Sequence, residues 1–104
     1  MITNIFSDIP ERLPDELIKI ISETDKIRIE KIVSRGHVSR EWYDQDKDEF
    51  VLLLRGEARL RFEKGDRTVH MKQGDYLIIP AHERHWVEWT SNVEDTVWLA
   101  VHYE

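Results

Sequence analysis

Gly74-Asp-Tyr-Leu-Ile-Ile-Pro80-Ala-His82-Glu-Arg-His85-Trp-Val-Glu-Trp89 carries two strand signals with a polar loop between them. Gln73-Gly74-Asp75 reads as a turn, because glycine enters positive-φ conformations without a Cβ penalty. Tyr76 to Ile79 is then a short apolar strand, and Pro80, which has no amide hydrogen to give to a ladder, closes it. His85 to Thr90 runs back with alternating character.

The same grammar extends in both directions. Upstream, Phe50 to Leu54 is a buried-strand run ending at Gly56, and Ala58, Leu60 and Phe62 alternate with Arg59, Arg61 and Glu63. Lys64-Gly65-Asp66 turns that strand into Arg67 to Met71, while Ser91 to Asp95 is a polar loop before a last strand over Thr96 to Tyr103. Ile27 to Val33 alternates apolar and charged residues over its first part, the pattern of a strand with one wet face. Many short strands separated by turns predict an all-β antiparallel barrel or sandwich. One helix is expected: Pro14, Asp15 and Glu16 suit a helix start, and Leu17, Ile18, Ile20 and Ile21 supply an apolar face. The whole chain, residues 1–104, reads as one domain, with a helical segment over 1–26 packed on a barrel over 27–103.

Two stretches resemble the paired motifs of the cupin superfamily. The first family motif is G-x5-H-x-H-x3-4-E-x6-G; Gly36 and Glu49-Phe-Val-Leu-Leu-Leu-Arg-Gly56 keep its glycines, its glutamate and the gap between them. Trp42 and Asp44 stand where its two histidines belong. The second is G-x5-P-x-G-x2-H-x3-N; Gly74, Pro80 and His85 match in register, with His82 at the second glycine and Trp89 at the asparagine. The resemblance implies a jelly-roll barrel whose interior holds a small-molecule site near Glu49 and His85, and, in the family, a divalent metal ion. Carried over position by position, it offers Asp44, Glu49 and His85 as ligands.

His102 shares strand parity with Trp98 and Ala100, so an inward face would add it to Glu49 and His85 as a two-histidine, one-carboxylate set suited to zinc, iron, manganese or nickel. Trp42 and Trp89 are candidate walls for a ligand ring, Trp89 through its parity with His85 and Val87. Arg84 is a candidate clamp for a carboxylate or phosphate, and His82 a candidate contact across the turn. Against these stand plainer readings: a solvated acidic loop for Asp44, a turn residue for His82, a hydrogen-bonded core histidine for His102, an ion pair with Glu83 or Glu88 for Arg84. Two functions follow, a metal-dependent enzyme of isomerase or oxygenase type and a metal-free small-molecule binding or sensing module.

Composition trims the alternatives. The net charge of -6 repels phosphate backbones and anionic lipid, so neither nucleic acid nor a membrane surface is an expected partner. The absence of cysteine excludes disulfides and thiolate chemistry and agrees with a cytoplasmic setting. No glycine-rich phosphate loop, Gly-x-Ser-x-Gly elbow or His-Glu-x-x-His helix is present. A homodimer is expected, because an open sheet edge needs covering and a second subunit does so.

Overall fold

The computed structural model describes residues 1–104 and contains eight strands and no helix. They are β1 (Leu17–Glu23), β2 (Ile27–Ser34), β3 (Asp48–Arg55), β4 (Glu57–Phe62), β5 (Arg67–Lys72), β6 (Tyr76–Ile79), β7 (His85–Thr90) and β8 (Thr96–Tyr103). All pairings are antiparallel, in a five-stranded sheet of order β1-β2-β8-β3-β6 and a three-stranded sheet of order β5-β4-β7. Val51, Leu53, Ala58, Leu60, Phe62, Met71, Ile79 and Trp98 form the buried core between them.

Two expectations are corrected. The expected N-terminal helix is strand β1, paired with β2 from Leu17↔Val33 to Glu23↔Arg28. Three of its four apolar residues, Ile18, Ile20 and Ile21, are β-branched and favour a pleated strand. An extra residue, Ile21, bulges out between Ile20 and Ser22, and this doublet imitates the spacing of a helical face. Thr24 closes the hairpin, its Oγ1 accepting the amides of Lys26 and Ile27. The expected closed barrel is instead an open sandwich, since no ladder joins the two sheets. Pro80 stops β6 after four residues, and β7 gains only an isolated bridge to Tyr43. No helix is long and apolar enough to cross a membrane.

Glycine is obligatory at Gly56, where β3 passes into β4. Its φ is +95°, and an added Cβ would lie 2.4 Å from Thr96 Oγ1 and 2.6 Å from Thr96 Cα. The close approach of these two backbones fixes where β3 ends and so sets the position of Glu49 at its other end.

Candidate functional site

Register brings the polar residues together. Across the five-stranded sheet, Glu49 on β3 stands opposite His102 on β8, which stands opposite Arg28 on β2. One row deeper, Glu30 faces the small Ala100, which leaves it room to lean onto His102, with Glu30 Oε1 2.9 Å from His102 Nε2. From the other sheet β7 contributes His85, its first residue. Two backbone hydrogen bonds with Tyr43 hold it, Tyr43 N to His85 O at 2.7 Å and His85 N to Tyr43 O at 3.1 Å.

The tautomer of His85 follows from its neighbour. Nδ1 lies 2.9 Å from the carbonyl oxygen of Glu83, which can only accept, so Nδ1 carries the proton. Nε2 is therefore the unprotonated nitrogen of the neutral ring, and it faces Glu49 Oε1 at 3.8 Å. On the other side Glu49 Oε2 is 3.9 Å from His102 Nε2. Neither distance is a hydrogen bond. Glu49 is thus a carboxylate only 7% exposed that receives no hydrogen bond from the protein. Burial pushes its pKa above the ordinary glutamate value; His102, His85 and Arg28 pull against that shift, and Glu30 adds to it.

These groups form the polar end of a cavity of about 200 Å³ between the sheets. Ile32, Val51, Leu60, Ile79, Val87 and Trp98 make its apolar walls, with Tyr43, Gln45 and Ile18 also on the lining. An apolar cleft with a few convergent polar groups is the usual form of a small-molecule site.

The remaining candidates lie elsewhere. Asp44 is exposed and sits 2.9 Å from His82 Nδ1, outside the cluster of Glu49, His85 and His102. His82 holds φ +65° where the cupin motif has glycine. Trp42 stacks on Trp86 at 5.3 Å, and Arg84 lies over Trp42 and pairs with Glu63 at 2.9 Å rather than with Glu83 or Glu88. The parity argument for Trp89 fails because Glu88 bulges between Val87 and Trp89. That extra residue turns Trp89 to the outer face, where Arg59 packs over its ring at 5.1 Å.

Sequence reading missed Arg28, Glu30, Tyr43 and Gln45 on the cavity lining. The alternation over Ile27 to Val33 was visible, and its polar side turns to the cavity while Ile27, Ile29 and Lys31 share the opposite face.

The donor set does not fit a resident metal ion. No three histidine, aspartate or glutamate side chains are grouped to hold one. Glu30 already engages His102 Nε2, so only Glu49 and His85 offer free donors, fewer than the three protein ligands of a catalytic metal site.

No functionally curated protein matches the chain. A protein of known crystal structure from Ralstonia eutropha JMP134, named a "putative mannose-6-phosphate isomerase", is 40% identical with a TM-score of 0.93, over 100% of this chain and 98% of that one. A cupin superfamily protein from Desulfitobacterium hafniense DCB-2 shares the fold at 22% identity and a TM-score of 0.77, over 91% and 83% of the two chains. A double-stranded beta-helix protein from Klebsiella pneumoniae shares it at 16% identity and a TM-score of 0.80, over 98% and 88%. The family profile described as "Cupin domain" matches residues 30–102, which span β2 to β8 and every polar group of the cavity's inner end but Arg28, so the chain belongs to the cupin family.

Proposed function

We propose that the chain binds a small polar metabolite in the inter-sheet cavity without a resident metal ion, with Glu49 and His85 as its polar anchors. One observation carries this reading: two buried acceptors, the Glu49 carboxylate and His85 Nε2, face the cavity with no protein donor within hydrogen-bond reach. Buried polar groups are normally satisfied, and the exceptions mark places where a ligand supplies the missing partner. Calorimetric titration with a panel of small amines, polyols and aldoses, in chelator, tests it. Saturable binding is expected, weakened about tenfold or more in His85→Ala, the usual cost of losing a hydrogen bond to a charged or buried group. Binding that requires added metal contradicts it.

The name of the 40%-identical relative favours a second reading, an isomerase. A carboxylate whose pKa is raised by burial, beside an imidazole, suits movement of a proton between neighbouring carbons of a hydroxycarbonyl compound. Glu49 would take the proton from the hydroxyl-bearing carbon while a protonated imidazole gives one to the carbonyl oxygen; from the resulting enediol, Glu49 gives its proton to the former carbonyl carbon and the imidazole takes the proton of the other hydroxyl, which leaves the isomer. Uptake of solvent deuterium at that carbon is expected, and its absence for every hydroxycarbonyl compound that binds counts against catalysis.

A second copy of the chain is the partner we propose. β1 is an edge strand whose Ile18, Ile20 and Ile21 are 55%, 50% and 50% exposed, and an antiparallel edge pairs readily with its own copy. Light scattering at high concentration is expected to give twice the chain mass; a monomer removes the dimer.

A further inference from the structure

The groups that line the cavity lean toward open acceptors. Most of the donors around it are already committed within the protein, Arg28 being the exception. Trp98 Nε1 donates to Ser34 Oγ at 3.3 Å, and Ser34 Oγ donates to Glu16 Oε2 at 2.7 Å. His85 Nδ1 donates to Glu83 O at 2.9 Å, and His102 Nε2 meets Glu30 Oε1 at 2.9 Å. Arg28 lies 3.2 Å from Glu30 and 3.9 Å from Glu23, so its charge is matched twice, although its buried Nε makes no hydrogen bond. Beside Arg28 Nε, the groups left over inside are acceptors, both oxygens of Glu49 and Nε2 of His85. Tyr43 and Gln45 serve as donor or acceptor alike.

Charge leans the same way. Glu16, Glu30 and Glu49 share the lining with Arg28 as the one permanent cation, and the neighbouring hollow adds Asp44 and Asp46 against Lys47. Lys47 is itself turned to the carbonyl of Asp25 at 3.2 Å. A phosphate or carboxylate could turn only to Arg28, whose charge Glu30 and Glu23 already match, and would meet the unpaired Glu49 on the same lining. Trp98 and Tyr43 on the lining add aromatic rings, a residue type that attracts cations.

We propose that this cavity selects a small organic cation bearing N–H donors, an amidinium, guanidinium or ammonium compound, and discriminates against phosphorylated and carboxylated ones. The inference rests on the metal-free binding reading above and narrows it to a substrate class, one that differs from the phosphorylated sugar in the relative's name.

Benzamidine, benzamide and benzoate are nearly identical in size and differ in charge, so they isolate this term. Titrated calorimetrically into the full chain at pH 7 with chelator, benzamidine is expected to bind at least about tenfold tighter than benzamide, with benzoate undetected. Glu49→Gln is expected to bring benzamidine down to the level of benzamide, and a cooperative unfolding transition reports that the variant is folded. Glu16→Gln is a second variant, expected to reduce the preference about threefold. Benzoate or mannose 6-phosphate binding as tightly as benzamidine overturns the charge assignment and leaves the binding site standing. A preference that survives Glu49→Gln overturns the role of that residue. No heat from any of the three overturns the binding reading and this inference with it, and binding that appears only with added zinc or manganese overturns its metal-free part.

Discussion

Strand β8 separates two acids kept under opposite conditions. Just before its first residue, Asp95 is gripped by Arg35, Nε to Oδ1 at 2.6 Å and Nη2 to Oδ2 at 3.2 Å. That ion pair holds the Asp95 carboxyl below the usual aspartate range. The same guanidinium reaches the carbonyls of Glu11 and Pro10, tying the N-terminal segment to the sheet. Toward the other end, beside His102, Glu49 is buried without a donor and its pKa moves up. An acid that fastens the chain is given its counter-charge. The acid deprived of one in the interior is destabilising by itself, and such a group persists where a ligand completes it.

Substitutions at the two ends separate these roles. The largest effect is expected at the structural end: Gly56→Ala would drive a Cβ into Thr96 and Asp95 O and force alanine into positive φ. A loss of about 3 kcal/mol or more is expected in denaturant unfolding, with failure to accumulate as the extreme case.

At the other end the sign reverses. Glu49→Gln removes an unpaired buried charge, so a gain of about 1 kcal/mol at pH 7 is expected, together with loss of the preference for benzamidine. Because the folded carboxyl has the higher pKa, the wild-type contribution of Glu49 is fully present below the ordinary glutamate pKa and is lost as pH rises through the raised one. Unfolding curves across that window should slope in the wild type and flatten in the variant; parallel curves would place Glu49 in a paired environment.

A change between the two ends sharpens the contrast without touching either. His82→Gly should stabilise by about 1 kcal/mol, since glycine carries no penalty at φ +65° and the exposed pair with Asp44 contributes little. Unchanged ligand affinity in this variant is the accompanying expectation, because His82 lies outside the cluster at Glu49 and His85.

Asp95→Asn should have the smallest effect, confined to the acid limb. A carboxyl whose folded pKa is lowered contributes stability present above the ordinary aspartate pKa and lost as pH falls through the folded one. The variant should lack that portion of acid sensitivity, measured by thermal melts from pH 5 downward, and solvent screening keeps the difference modest.

Much of the sandwich is legible in the sequence because its determinants are local. Gly56, Gly74 and Pro80 mark strand ends through backbone chemistry, and the distance from Glu49 to Gly56 spans one strand. The parity of His102 with Trp98 and Ala100 holds because β8 pairs with β2 without interruption. Parity misleads where a bulge intervenes: Ile21 makes β1 resemble a helix face, and Glu88 rotates Trp89 away from the cavity. An extra residue leaves no compositional mark, so its presence is set by partners distant in sequence. The same holds for Glu30 and Arg28, whose side of the sheet depends on which face of β2 meets the opposing sheet. Asp44 stands at a family ligand position, but the loop that carries it pairs it with His82.

The state of Glu49 bears on all of this most directly. Carbon-13 NMR titration of side-chain carboxyls, assigned through Glu49→Gln, reads its pKa in the ligand-free protein. A value above the ordinary glutamate range, falling when benzamidine is added, is the predicted result. A value at or below that range in the free protein would mean that a metal ion or an internal donor already occupies the carboxylate, and would contradict a site kept open for a ligand.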